Sequence, residues 1–339
     1  MKKLLFITAS ALLMVVLTGC PNVDSPDTVD TDWYTDNPTG TSFFISTPAQ
    51  LAGLAWLVND KIDFNGRTIN LAADIDLSSY NSGKGWIPIG NENDWFSGNF
   101  DGRGKTISNL YINNSDTNCA GLFGVVMRGS IKNLRVVVSS GGITGKQLAG
   151  GIACGAVNSL IENCSVTGGK IESKEIAGGI VGTIQNGTNV FNCYTTVAVS
   201  AVAVSGPATV GGVVGGSFGA CWVTNCYATG AISGSNHVGG LVGIVVEGGI
   251  YHCVALNSGI TGGDSKGRVV GAKDDISILY ENYALSTIPG SWGEVGLAKI
   301  EGADIMDVDT KNETFYKDVL NWDLTNVWTI QPGQYPTLR

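Results

Sequence analysis

Charge is what this chain has least of. Charged residues make up 14% of 339, histidine occurs twice, and the net charge is −9. No basic cluster is present, so the electrostatic footprint of a nucleic-acid-binding protein is missing. No Cys-x-x-Cys occurs among the eight cysteines, which removes the usual pattern of a zinc site. Beyond residue 119 no stretch keeps an i, i+3, i+4, i+7 apolar pattern with strong helix formers, so long helices are excluded there. Long apolar runs are also absent, apart from one at the N-terminus.

What the chain does have is glycine, 48 residues of it, arranged with a period. Gly121-Leu-Phe-Gly124 returns as Gly151-Ile-Ala-Cys154, Gly179-Ile-Val-Gly182, Gly212-Val-Val-Gly215 and Gly240-Leu-Val-Gly243, with a worn copy at Arg268-Val-Val-Gly271. The first glycines are spaced by 30, 28, 33 and 28 residues, and Arg268 follows 28 later. About a dozen residues after each comes a second mark: Asn133-Leu, Asn163-Cys, Asn192-Cys, Asn225-Cys, His252-Cys and Asn282-Tyr. A period near 28 residues signals a stacked array in which each unit buries its face against the next. Short β-branched runs broken by Gly and Asn read as strands with tight corners, because those two residues most readily take positive φ. One period then makes one coil of a parallel β-helix with two or three short strands. Six coils, plus three before them, give a rod about 40 Å tall at the strand spacing. A propeller needs longer repeats.

The recurrent Asn reads as a corner ladder bonded to its copies above and below. Four cysteines, Cys164, Cys193, Cys226 and Cys253, share one column. Side chains stacked in register point the same way, which favours buried thiols over disulfides. An oxidising compartment keeps disulfides open as the alternative. Cys119, Cys154 and Cys221 lie off the column, and Cys154 replaces a repeat glycine.

The N-terminus carries Lys2-Lys3, an apolar stretch from Leu4 to Leu17, and Leu17-Thr-Gly-Cys20. The apolar stretch is too short for a comfortable membrane span. This segment resembles the lipobox of bacterial lipoproteins, which implies acylation of Cys20 and a membrane partner through that lipid. Removing the leader takes two lysines, leaving 20 − 2 − 29 = −11. The domains expected are a signal peptide over 1–19, a flexible acidic tether over 20–42, an N-terminal cap and first coils over 43–119, the repeat array over 120–289, and a C-terminal cap over 290–339.

Within the cap, Thr47-Pro-Ala-Gln50 has the form of a capping box with Pro at the first helical position, predicting a helix over 48–59 that covers the open coil end. Asp74, Asp76 and Asp101 are oxygen ligands of the kind Ca²⁺ takes, but turn capping is the commoner use. In the tail, a short helix is expected over 313–320. Trp322, Trp328, Tyr335 and Pro336 suit a lid over the last coil; exposed, the same rings would stack on sugars.

Phe96-x-Gly-x-Phe-Asp-Gly-x-Gly-x-x-Ile107-x-Asn-Leu110, followed by the Gly-Leu-Phe-Gly repeats, resembles the GLUG-motif family. That resemblance covers roughly 43–339. It implies a right-handed parallel β-helix-like solenoid on a cell surface, all-β apart from the caps. The family includes bacterial adhesins and IgA-cleaving zinc peptidases of streptococci. The peptidase members need His-Glu-x-x-His, which does not occur here, so no catalytic residue, metal or cofactor is carried over. The function expected is a surface-anchored, non-catalytic adhesion module, on the outer membrane or cell surface, for a host glycoprotein or polysaccharide. A structural spacer is the second reading. A polysaccharide lyase or hydrolase using acids such as Asp274-Asp275 or those from Glu301 to Asp309 is the third.

Overall fold

The computed structural model describes residues 29–114, 116–202 and 208–339. Cys20 and the expected signal peptide lie outside them. The described chain is a parallel β-solenoid. One sheet follows the coils in chain order through nine strands, from Ser42–Ile45 and Thr68–Leu71 up to Gly249–Tyr251 and Ile278–Tyr280. Nine stacked strands enclose eight turns and span about 38 Å at the usual spacing.

One coil shows how the sequence makes a turn. His237–Gly239 and Val242–Val246 lie on two six-stranded sheets, and Gly249–Tyr251 lies on the nine-stranded sheet. Val254–Ala255 and Ile260–Gly262 lie on a fourth side, and Ser265–Gly267 opens the next coil. This coil thus has five short strands, not two or three. The fourth side is one long strand in the earlier coils, Thr106–Asn113 and Arg135–Thr144. It splits later, where Gly168 and Gly169 turn to positive φ.

The interior is a set of ladders. Ile131, Ile161, Val190, Val223 and Ile250 pair in register, and each is fully buried. Each contributes about 1.5–3 kcal/mol of apolar burial. The repeat's first glycine is set by close approach of the next coil. A Cβ on Gly179 or Gly212 would lie 2.1 Å from the carbonyl oxygen of the next coil's glycine. Arg268 takes this position where no further repeat stacks on it.

The corner ladder forms as expected. Asn133, Asn163, Asn192 and Asn225 have φ of 52–53°. Each amide donates to the side-chain oxygen of the coil before: Asn133 to Asp101 at 3.0 Å, Asn163 to Asn133 and Asn192 to Asn163 at 3.1 Å, Asn225 to Asn192 at 3.2 Å. In the last coil the expected register is off by one. Glu281 takes the left-handed corner, and Asn282 is buried in the cysteine column. There its side-chain oxygen accepts from Cys253 N at 3.0 Å.

Both ends are capped, though Ile278–Tyr280 remains the last strand of its sheet. The helix Pro48–Asn59 turns Leu51, Leu54, Leu57 and Val58 inward. Thr47 Oγ1 accepts from Gln50 N at 3.2 Å, and Gln50 Oε1 accepts from Ser46 N at 2.8 Å, one residue earlier than the standard box. The stretch expected as a tether is packed from Val29 on. Asp32–Thr35 forms a helical turn, and Trp33 lies 5.4 Å from Phe43 and 5.9 Å from Phe64, ring to ring. Two aromatic rings in an acidic segment supply enough apolar area to dock it. At the other end, Ile300 O accepts from Val269 and Val270, and Ala303–Ile305 adds a strand beside Tyr283–Leu285.

The tail differs from the lid expected over the last coil. It runs back down the side of the rod as a strap. A π-helical turn, Phe315–Val319, stands where the short helix was expected. Trp322 and Trp328 lie against Tyr227, two coils below the end, and Arg135 near the start of the array donates to Leu338 O and Arg339 O. The tyrosine column on the side of the rod offers these rings a flat apolar surface, and the coil end is already filled.

Candidate functional site

Most of the acids that chemistry would need are committed to structure. Asp74 Oδ1 accepts from Thr106 N at 2.8 Å; Asp76 Oδ1 accepts from Ser78 N and Asn109 Nδ2; Asp101 Oδ1 accepts from Arg103 N and Asn133 Nδ2. These are corner caps, the use Asp serves most often. Asp274 accepts from Glu247 N and from Ser277. Glu301 accepts from Arg268 N and Gly293 N, Asp304 pairs with Arg268, and Asp307 holds Lys311 and Tyr335. Among the described residues no three His, Cys, Asp or Glu side chains converge as a metal cluster would.

The cysteines are also accounted for. Cys164, Cys193, Cys226 and Cys253 are buried free thiols. Each lies near the carbonyl oxygen two residues earlier, at 3.1–3.2 Å. Burial pushes the Cys164, Cys193 and Cys226 thiols well up, the opposite of a nucleophile. Cys119 and Cys154 form a disulfide with Cα atoms 5.3 Å apart. The signal was in the repeat. Cys154 stands at the second glycine, and at Gly215 in the same column a Cβ would meet Ile176 of the preceding coil at 2.5 Å. Cys119 occupies the place of Ile176, two coils earlier. A contact too tight for two ordinary side chains there becomes a bond.

Two aromatic surfaces remain. Tyr194 and Tyr227 stack at 5.0 Å with planes 5° apart, and Trp328 covers both at 6.1 Å. Trp322 lies 4.6 Å from Trp328. Trp322 and Trp328 are 2% and 0% exposed, which ends the reading of these rings as a sugar platform.

The second surface is open. On the outer face of the nine-stranded sheet, Trp222 lies 5.3 Å from Tyr251, and Tyr251 lies 6.1 Å from Tyr280. Strand alternation sets this direction: Ile250 and Leu279 point in, so Tyr251 and Tyr280 point out. The Trp222 ring lies over Gly249, where a Cβ would stand 2.4 Å from Cζ3. Tyr280 is 49% exposed, beside Ile278 at 48% and Ile276 at 67%.

The row has a fixed polar edge. His252 Nε2 lies 3.4 Å from Glu281 Oε2, and its Nδ1 lies 2.9 Å from Leu320 O. A carbonyl only accepts, so Nδ1 carries a proton. A hydrogen bond to Glu281, and then its charge, hold the Tyr280 phenol above its ordinary range. Glu281 is therefore positioned between a histidine and a tyrosine at the margin of the rings. The sequence reading missed this row. The signal available was the shared place of Tyr251 and Tyr280, each one residue before its corner.

A shallow cleft of about 240 Å³ also lies where the strap meets the Asn ladder, lined by Arg103, Asn133, Arg135, Asn163 and Arg339 among others. Its guanidinium groups are largely spent on structure: Arg135 donates to Gly104 O and the strap, and Arg339 to Leu324 O.

Known proteins share the repeat and the fold. The GLUG motif matches residues 145–172 and 206–233. Halomucin of Haloquadratum walsbyi is 34% identical over 163 residues, 45% of this chain and 2% of that one. A candidate Gly-rich membrane protein of Evansella cellulosilytica is 36% identical over 104 residues, 30% of this chain and 12% of that one. The chain thus spans a small part of either relative's length. A crystal structure from Bacteroides ovatus, described as a candidate immunoglobulin A1 protease, superposes with a TM-score of 0.67 over 88% of this chain and 92% of that one, at 20% identity. That likeness shows the fold alone. The GLUG motif thus occurs twice in this chain, both times within the coils of a parallel β-solenoid.

Proposed function

We propose that this protein is a non-catalytic binding module displayed at a bacterial surface, an adhesion lipoprotein held to the outer membrane through acylated Cys20. Its ligand is a host glycoprotein or a polysaccharide. The observation that carries the reading is the open row Trp222, Tyr251 and Tyr280. A contiguous apolar patch left at the surface marks a site of association, of which a ligand site is one kind. The Cys119–Cys154 disulfide supports an oxidising compartment outside the cytoplasm. The surface and membrane relatives point the same way.

The test is a glycan and matrix-glycoprotein array probed with the wild-type chain and with Trp222→Ala/Tyr251→Ala. Binding lost in the double variant is expected; a blank array from the wild type sinks the reading. Anchoring is tested apart from it: Cys20→Ala should move the protein from the membrane to the soluble fraction. Catalysis is the rival reading, raised by the name of the structural neighbour. Cleavage of immunoglobulin A1, or release of unsaturated ends from a uronate polymer, would establish it.

A further inference from the structure

We infer that the open row takes a neutral pyranose chain lying along the rod, with Glu281 accepting its hydroxyl hydrogens, and that polyanionic glycans are excluded. This rests on the reading of the row as a ligand site and adds the class of ligand. Three observations carry it.

The first is shape. Trp222, Tyr251 and Tyr280 come from three successive coils, so their rings step along the rod axis. The rings tilt by 57° and then by 44° from one to the next, a stepped platform that suits an extended oligomer whose apolar faces turn along its length. The C–H faces of pyranose rings are such surfaces. The phenol and indole edges leave polar groups for the hydroxyls.

The second is charge. Glu247, Asp274 and Asp275 lie before the strands that carry the row, and Glu281 lies after them. Lys273, beside these acids, donates its ammonium to the Asp274 carbonyl at 2.6 Å. A uronate or sulfated chain laid here would meet carboxylates on both sides, and like charges repel. The covered row offers no such border to a ligand, because the strap fills it.

The third is Glu281. A carboxylate with His252 Nε2 at 3.4 Å is partly oriented in advance, and bonds from hydroxyls to an ionised acceptor are the strong kind. A peptide strand added to the free edge of Ile278–Tyr280 is the competing occupant.

The experiment is calorimetry on the full chain in detergent, with cellohexaose, xylohexaose and mannohexaose as neutral probes and hexagalacturonate and a heparin hexasaccharide as anionic ones. At least one neutral probe should bind, with an affinity that added salt leaves unchanged. Trp222→Ala and Glu281→Gln should each weaken it about tenfold, one strong contact's worth, while the circular dichroism spectrum stays that of wild type. Anionic probes bound more tightly, with salt weakening them and Trp222→Ala abolishing them, would overturn the ligand class and leave the row as a site. Neutral binding that Glu281→Gln does not change would overturn the role of Glu281. No binding by any probe, or capture of an extended peptide instead, would overturn the inference together with the reading beneath it.

Discussion

Two rows of aromatic rings run up this rod, one covered and one bare. Tyr194 and Tyr227 lie under Trp322 and Trp328 of the strap. Trp222 and Tyr251 lie half-buried on the neighbouring side, and Tyr280 beside them is exposed. Both rows take rings from successive coils, but the covered tyrosines stack with planes 5° apart and the other rings tilt by 57° and 44°. The difference lies in what the chain places opposite. Buried rings convert their area into stability; bare ones leave it for association.

The largest effect should come from the covered row. Trp328→Ala removes a fully buried ring and should cost about 3–5 kcal/mol, read as a lower urea midpoint. Trp222→Ala should cost about 1 kcal/mol or less on the same measurement. Equal costs would erase the distinction between the rows. Reducing Cys119–Cys154 should rank next, at about 2–4 kcal/mol. Alkylation before reduction should leave the five buried free thiols unlabelled until urea unfolds the rod. Labelling in the native state would contradict the packed column.

A smaller pair sharpens the contrast. The Tyr227 hydroxyl donates to Pro336 O within the buried cluster. Tyr227→Phe leaves that carbonyl unpaired and should cost about 1–2 kcal/mol. Tyr280→Phe should stay within about 0.5 kcal/mol. The smallest effect is one of pH. Tyr335 donates to Asp307 at 2.8 Å, and burial followed by that bond pushes its phenol up to about 12. A raised phenol stabilises the fold below its ordinary value near 10 and loses that contribution as pH climbs to about 12. Trp322 and Trp328 emission should therefore shift in that window, with Trp222 emission constant. Asp307 is depressed by Lys311 first and Tyr335 second, so its share is lost on the acid side, below the usual carboxylate range.

Much of this was legible before any coordinates. The 28-residue period, the Asn corners and the thiol column follow from residues that repeat because each coil repeats the same contacts. The capping helix was legible because Thr47, Pro48 and Gln50 act over one turn. The last corner was not. Glu281 and Asn282 are both polar, and either can sit at a left-handed corner or in a buried column, so the motif could not say which. The docked start was hidden because Trp33 and Tyr34 stand in an acidic, Pro-rich stretch whose composition reads as open chain.

The sequence alone determined that coils stack, since glycine and asparagine at fixed intervals allow the close approach and the positive φ that stacking requires. The tertiary structure decided where the aromatic rings end up. Composition cannot distinguish a ring that meets its own tail from one that meets solvent. That choice depends on the path taken by residues more than 30 positions past the last repeat, which run down one side of the rod and leave the other open.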